Sequence, residues 1–239
     1  MTDPFVPASP GESGARRKRR LVLEIVLIVA VLGGVGAFIV SRGDGGREDL
    51  GSQPALAREL LAMEQRDQQA RNRATKEGAV VLEDSEIGKA IRRVDTANTA
   101  RLKEIVDEYG WPGRSLVGER ASRSAWLLAQ HADLDLKFQK RALEMMEAMP
   151  DDEIVRRDVA YLSDRVLVAA GKKQRYGTQL ECRDGELVGR TPIADKDNVD
   201  ARRAKVDMEP LADYKQSYID TYGECPEEDA PGATGSPAR

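Results

Sequence analysis

The chain of 239 residues holds one histidine, His131, so imidazole chemistry has a single place to occur. A neutral imidazole suits general acid–base work near pH 7 when a carboxylate orients it. Candidate partners recur at helical spacing. Steps of three and four lead from Leu56, Leu60 and Met63 to Asp67 and Arg71. A second stripe passes through Ile87, Ile91 and Val94 to Asn98, then Leu102 and Ile105. A third runs from Leu127 to His131, then Leu134 and Phe138, and a fourth from Tyr161 to Asp164 or Arg165, then Val168. Each apolar face therefore carries a polar interruption. Burying such a group unpaired costs about 1–3 kcal/mol, more when it is charged, so these groups must meet one another or a ligand.

Two readings follow. One is a satisfied internal network, with Asp67 against Arg71 and Asp164 against His131, because structural ion pairs imitate sites. The other is a polar pocket between helices, with His131 as candidate general base and Asp164 as its orienting carboxylate. No metal is expected. Asp133 follows His131 by two residues and faces another way on a continuous helix, and no second histidine exists. The chain has no P-loop, zinc-ligand cysteine set, G-x-S-x-G elbow or dinucleotide fingerprint, so no cofactor is expected either.

The elements that must position these residues are mostly helical. The expected fold class is mainly α: an N-terminal single transmembrane helix, then a helical domain with one short β-hairpin. Soluble helices are expected over residues 55–73, 84–108 and 121–149, the last with a break near Asp133. Another should start at Pro150-Asp151-Asp152, acidic residues favouring a first turn, and stop at Gly171. Gly110-Trp111-Pro112-Gly113 reads as a loop, and Asp184-Gly185 between Leu180, Cys182 and Leu187, Val188 as a hairpin turn. Short helices are expected near residues 198–206 and after Pro210. The domain plan is a disordered basic tail over 1–20, an anchor over 21–40, a linker over 41–54, the helical domain over 55–223 and a disordered tail over 224–239.

Leu21–Val40 is apolar but for Glu24 and follows Arg16-Arg17-Lys18-Arg19-Arg20. As a helix it spans about 30 Å, a bilayer's hydrocarbon thickness. A cleaved signal peptide needs a shorter apolar region, and its best site, Val35-Gly36-Ala37, lies inside the run. An uncleaved signal anchor is therefore expected, with the basic cluster keeping the N-terminus cytoplasmic and the domain outside. Small residues at Ala30 and Gly34, and at Gly33 and Ala37, would allow a homodimer through this helix. The net charge is −4, and residues 25–239 hold 32 basic against 38 acidic residues, which argues against nucleic acid as a partner. The expected partners are the membrane, through residues 21–40, and an unknown small molecule or protein.

Cys182 and Cys225 are the two cysteines. Outside the cytoplasm they are expected to form a disulfide, and inside it they would stay reduced. Closing a loop of this length stabilises by about 4 kcal/mol in the chain-entropy model.

Several motifs occur in order: Met63-Glu64-Gln65-Arg66-Asp67-Gln68-Gln69-Ala70-Arg71, Tyr109-Gly110-Trp111-Pro112, Gln130-His131-Ala132-Asp133, Tyr161-Leu162-Ser163-Asp164-Arg165, Gln174-Arg175-Tyr176-Gly177-Thr178-Gln179 and Val199-Asp200-Ala201-Arg202-Arg203. As a set, over about residues 60–215, they resemble a bacterial family of unknown function with GWP, QHAD, YLTDR and QxYGTQ motifs. Gly113 after the GWP and Ser163 in place of threonine depart from that pattern. The resemblance carries no activity. It implies that Asp67, Gln68, Arg71, Trp111, His131, Asp164, Arg165, Gln174, Tyr176 and Gln179 stand at motif positions, which makes them the candidate ligand-binding set. The expected function is a ligand- or partner-binding module held at the cell surface. The alternatives are a hydrolase-like enzyme using His131 and a purely structural membrane-associated protein.

Overall fold

The computed structural model describes residues 49–76 and 85–226. The expected anchor at 21–40, the N-terminal tail and most of the C-terminal tail lie outside the described residues. Among those described, no helix is long and apolar enough to cross a membrane.

Five longer helices come first: α1 (Pro54–Lys76), α2 (Glu86–Tyr109), α3 (Arg114–Gln130), α4 (Leu136–Glu147) and α5 (Arg156–Ala169). The hairpin β1 (Leu180–Arg183) and β2 (Glu186–Gly189) follows. A single 3-10 turn then leads into α6 (Val199–Ala204), and α7 (Leu211–Tyr222) completes the order. The mainly helical domain with one antiparallel hairpin is thus as the periodicity indicates.

Local chemistry sets most boundaries. Ser85 accepts from the Gly88 amide at 3.0 Å and caps α2, and Asp135 accepts from the Phe138 amide at 2.9 Å and caps α4. Asp184 and Gly185 both take positive φ, 52° and 77°, as a two-residue hairpin turn of matching twist requires. The acidic pair Asp151-Asp152 does not open α5 as expected. It lies in a turn before the helix, where Asp151 pairs with Arg156.

The third helix begins seven residues earlier than position 121 because a kink lets the chain turn. Gly118 sits inside α3 at φ 80° and ψ 162°, and a Cβ there would meet the Asp49 carbonyl oxygen at 1.9 Å. That close approach docks the end of the expected linker. The Ser52 amide donates to the Ser115 carbonyl at 3.0 Å and the Gln53 amide to that of Leu116 at 2.8 Å. Residues 49–53 therefore belong to the folded domain.

The core lies between α1, α2, α3 and α5, with Leu60, Leu102, Ile105 and Leu162 fully buried. A smaller cluster of Leu180, Leu187 and Tyr218 packs the hairpin on α7. The Cys182–Cys225 disulfide closes that edge. Nearby, the Tyr214 hydroxyl donates to the Thr178 carbonyl at 3.0 Å, and Lys215 donates to the Leu187 carbonyl.

Candidate functional site

The stripe of α1 delivers Asp67 and Arg71 to the interior, one turn apart, with 0% and 5% exposure. The helix α3 stops at Gln130, so His131 begins the turn to α4 and points its ring at α1. Its Nδ1 lies 2.9 Å from Asp67 Oδ1 and 3.1 Å from Arg71 Nε. One ring nitrogen holds either a hydrogen or a lone pair, so these contacts alternate with the tautomer. With the hydrogen on Nδ1, His131 donates to Asp67. With the lone pair there, it accepts from Arg71. In both cases Nε2 is buried with no hydrogen-bond partner.

Two residues complete this half of the centre. Gln68 donates to Asp67 Oδ2 at 2.9 Å, and Arg71 Nη2 donates to Asp95 Oδ1 of α2 at 2.8 Å while lying 3.4 Å from Asp67 Oδ1. Burial raises the Asp67 carboxyl, but the contacts with His131, Arg71 and Gln68 outweigh it and hold the group below its usual range. Asp95 moves the other way. Burial dominates Arg71's pull, the charges of Asp67 and Asp133 add to it, and its carboxyl is pushed up to about 6. His131 is lowered, chiefly by burial, with the Asp67 contact opposing and Arg71 assisting, so the ring is neutral at pH 7.

The second half is held by Arg165 of α5. It binds Asp133 through both Nε, at 2.7 Å, and Nη2, and its Nη1 reaches Gln179 Oε1 at 3.5 Å. The fully buried Gln139 donates to Asp133 Oδ1 at 3.1 Å, the same oxygen that Arg165 Nε binds. Arg165 feels the charge of Asp95, and Asp95 that of Asp133, which joins the two halves into one ionic centre. The placing of Asp133 away from His131's surroundings is thus corrected. The helix ends before both residues, and the turn brings both to the same centre.

The expected pairing of His131 with Asp164 does not occur. Asp164 is fully buried and accepts from the amides of Arg175, Tyr176 and Thr178 at 2.6, 3.1 and 2.9 Å, and from the Thr178 hydroxyl at 3.2 Å. It anchors the Arg175–Thr178 loop. Gln174 braces the same loop by accepting from the Gln179 amide at 2.8 Å and donating to the carbonyls of Gln179 and Thr191. Tyr176 is core, and its carbonyl accepts from the wholly buried Arg203, whose guanidinium lies over the Tyr214 ring. Trp111 stands in a different part of the core, beside Trp126 and Asp158.

Of the ten candidate residues, Asp67, Gln68, Arg71 and His131 therefore meet directly, and Arg165 and Gln179 adjoin them. Asp164, Gln174 and Tyr176 hold the scaffold behind. Asp95 and Asp133 are the members that the stripes did not single out. Asp67, Asp95 and His131 each offer a metal-ligand atom, all within 4.8 Å of one another. The Arg71 guanidinium already lies among them and supplies the positive charge, so a divalent ion would have to displace it.

An open groove of about 480 Å³ runs beside this centre, lined by Arg58, Leu61, Glu64, Gln65 and Gln68 of α1 and by Arg120 of α3. It meets the buried pair only through Gln68. No curated protein and no solved structure matches the chain. A family model does, over residues 54–225, which takes in every element from α1 to α7 and both halves of the ionic centre. The chain belongs to DUF6624, a family of unknown function.

Proposed function

We propose that this chain is a ligand-binding module tethered outside the cytoplasm by residues 21–40, and that its ligand is a small polar molecule taken up along α1. The observation that carries the reading is Asp67. One oxygen faces His131 in the interior and the other accepts from Gln68, which lines the groove. A ligand that engages the Gln68 amide alters the charge facing His131, and with it the preferred tautomer of the ring. Arg58 and Arg120 on the groove suit a ligand with an anionic group. The Cys182–Cys225 bridge supports an oxidising compartment, in keeping with an N-terminus held inside by its basic cluster.

A metabolite library screened by thermal shift on the full-length chain tests the binding. A ligand at a hundred times its Kd stabilises by about 2.7 kcal/mol, roughly 5–10 °C for a domain of this size. The shift should vanish in Asp67→Asn and in Gln68→Leu. A broad library that moves none of the melting curves would remove the binding reading. The orientation is tested by protease added to intact spheroplasts, which should digest the domain.

A hydrolase-like enzyme is the second reading, favoured by the 2.9 Å contact of His131 Nδ1 with a carboxylate. In that case Asp67, and not Asp164, is the orienting group. Turnover of an ester, amide or phosphoester panel that is lost in His131→Ala would select it.

A further inference from the structure

Trp111 belongs to the Gly110–Gly113 loop and takes no part in the ionic centre. It is 5% exposed, and its indole N–H is buried with no acceptor. Asp158, in the first turn of α5, presents the complementary problem. It is 3% exposed, and Arg123 Nε comes no nearer its carboxylate than 3.9 Å, beyond hydrogen-bond reach. Both residues line one cavity of about 10 Å³, with the Trp126 ring and Met146 as apolar wall. Arg114, Glu119 and Arg123 line the same cavity and reach solvent.

A donor without an acceptor and an acceptor without a close donor thus share a space that fits about one oxygen atom. The chemistry narrows what can satisfy both. An ammonium group has no lone pair for the indole N–H. A carboxylate or halide has no hydrogen to give, and either, like phosphate, carries a negative charge that Asp158 repels. A methyl group serves neither. A hydroxyl oxygen accepts and donates at once.

We propose that this cavity is a hydroxyl-binding site, in which one neutral oxygen accepts from Trp111 Nε1–H and donates to the Asp158 carboxylate. The oxygen comes from water or from the hydroxyl of a small polyol entering beside Arg114 and Arg123. The site is separate from the His131 centre and gives the GWP tryptophan a role of its own. Burial without a close cation also pushes the Asp158 carboxyl up to about 6, the behaviour of an acid whose partner is neutral.

The chain has two tryptophans, so selective indole labelling with ¹⁵N yields two N–H signals from the full-length protein, assigned with Trp126→Phe. The Trp111 indole proton should show a cross-relaxation peak to water. On titration with glycerol, replacement of that peak by glycerol protons identifies a polyol site, and persistence of the water peak identifies water as the occupant. Either result supports the hydroxyl site. A Trp111 indole proton with no peak to water or glycerol overturns it, and this needs no variant. In Asp158→Leu, a folded spectrum should lose the peak. Its survival there would overturn the assignment of Asp158 as the acceptor.

Discussion

Asp67 and Asp164 look alike from outside. Each is a helical aspartate with no exposed surface, set on an apolar stripe. Their partners differ. Asp164 meets three backbone amides and a hydroxyl from a loop eleven to fourteen residues further along the chain. Asp67 meets three side chains, one of them an imidazole and one on the wall of a groove. A backbone amide is a donor under all conditions, so Asp164 is confined to one role, that of a loop anchor. An imidazole changes between donor and acceptor, so Asp67 faces a group that responds to its surroundings. Burial alone marks neither as functional; the kind of partner distinguishes them.

The largest expected effect tests the anchor. Asp164→Ala leaves three amides, two of them buried, and a hydroxyl without their acceptor and should cost about 4 kcal/mol in urea unfolding. A loss below about 1 kcal/mol would break the contrast, because Asp164 would then not hold the loop. Asp67→Asn should cost about 2 kcal/mol, since Gln68 keeps an acceptor and Arg71 keeps Asp95. It should nevertheless remove the whole ligand-induced thermal shift. Equal effects of the two substitutions on ligand response would mean that the distinction is false.

The smallest effect sharpens the electrostatics of the centre. Asp95 is pushed up to about 6 in the folded state, above its unfolded range near 4. The folded chain therefore binds this proton more tightly, and the contribution of Asp95 to stability should fall as pH rises from about 4 to 6. Asp158 is pushed to the same value and titrates in the same window. Asp95→Asn, which keeps the neutral shape, should remove part of that slope, since the Asp158 and Asp164 carboxyls are raised too, and add about 1 kcal/mol at pH 7.5. Asp67 and Asp133 are held low, so any stability they contribute is lost only at more acidic pH. Melting temperatures across pH 4–8 for wild type and variant check the sign. A variant slope as steep as the wild type's would place the titration elsewhere.

Much of the centre was legible because helical spacing is a local property. Asp67 and Arg71 are one turn apart on a stripe that the sequence displays, and His131 interrupts another. Asp95 is legible in the same spacing but is masked by an apolar neighbour. From Ile91 a step of three lands on Val94 and a step of four on Asp95, and the apolar choice hid the charged one. Asp133 is not legible, because spacing arguments assume a continuous helix, whereas α3 stops at Gln130. The partner of Asp164 is not legible either. Its partners are backbone amides, which every residue carries and which leave no mark in the pattern of side chains.

By itself the sequence determined the elements and their faces: the stripes, the loop at Gly110–Gly113, the turn at Asp184-Gly185 and the polar interruptions. These depend on φ/ψ preference and on neighbours within a turn or two. The tertiary structure alone decided which interruption meets which. Asp67 and His131 are 64 residues apart, and Arg165 and Asp133 are 32 apart. Only the packing of α1 against α3, and of α5 against the turn that follows α3, brings them within hydrogen-bond distance. The choice of partner is a property of helix packing angles, and no local spacing encodes those.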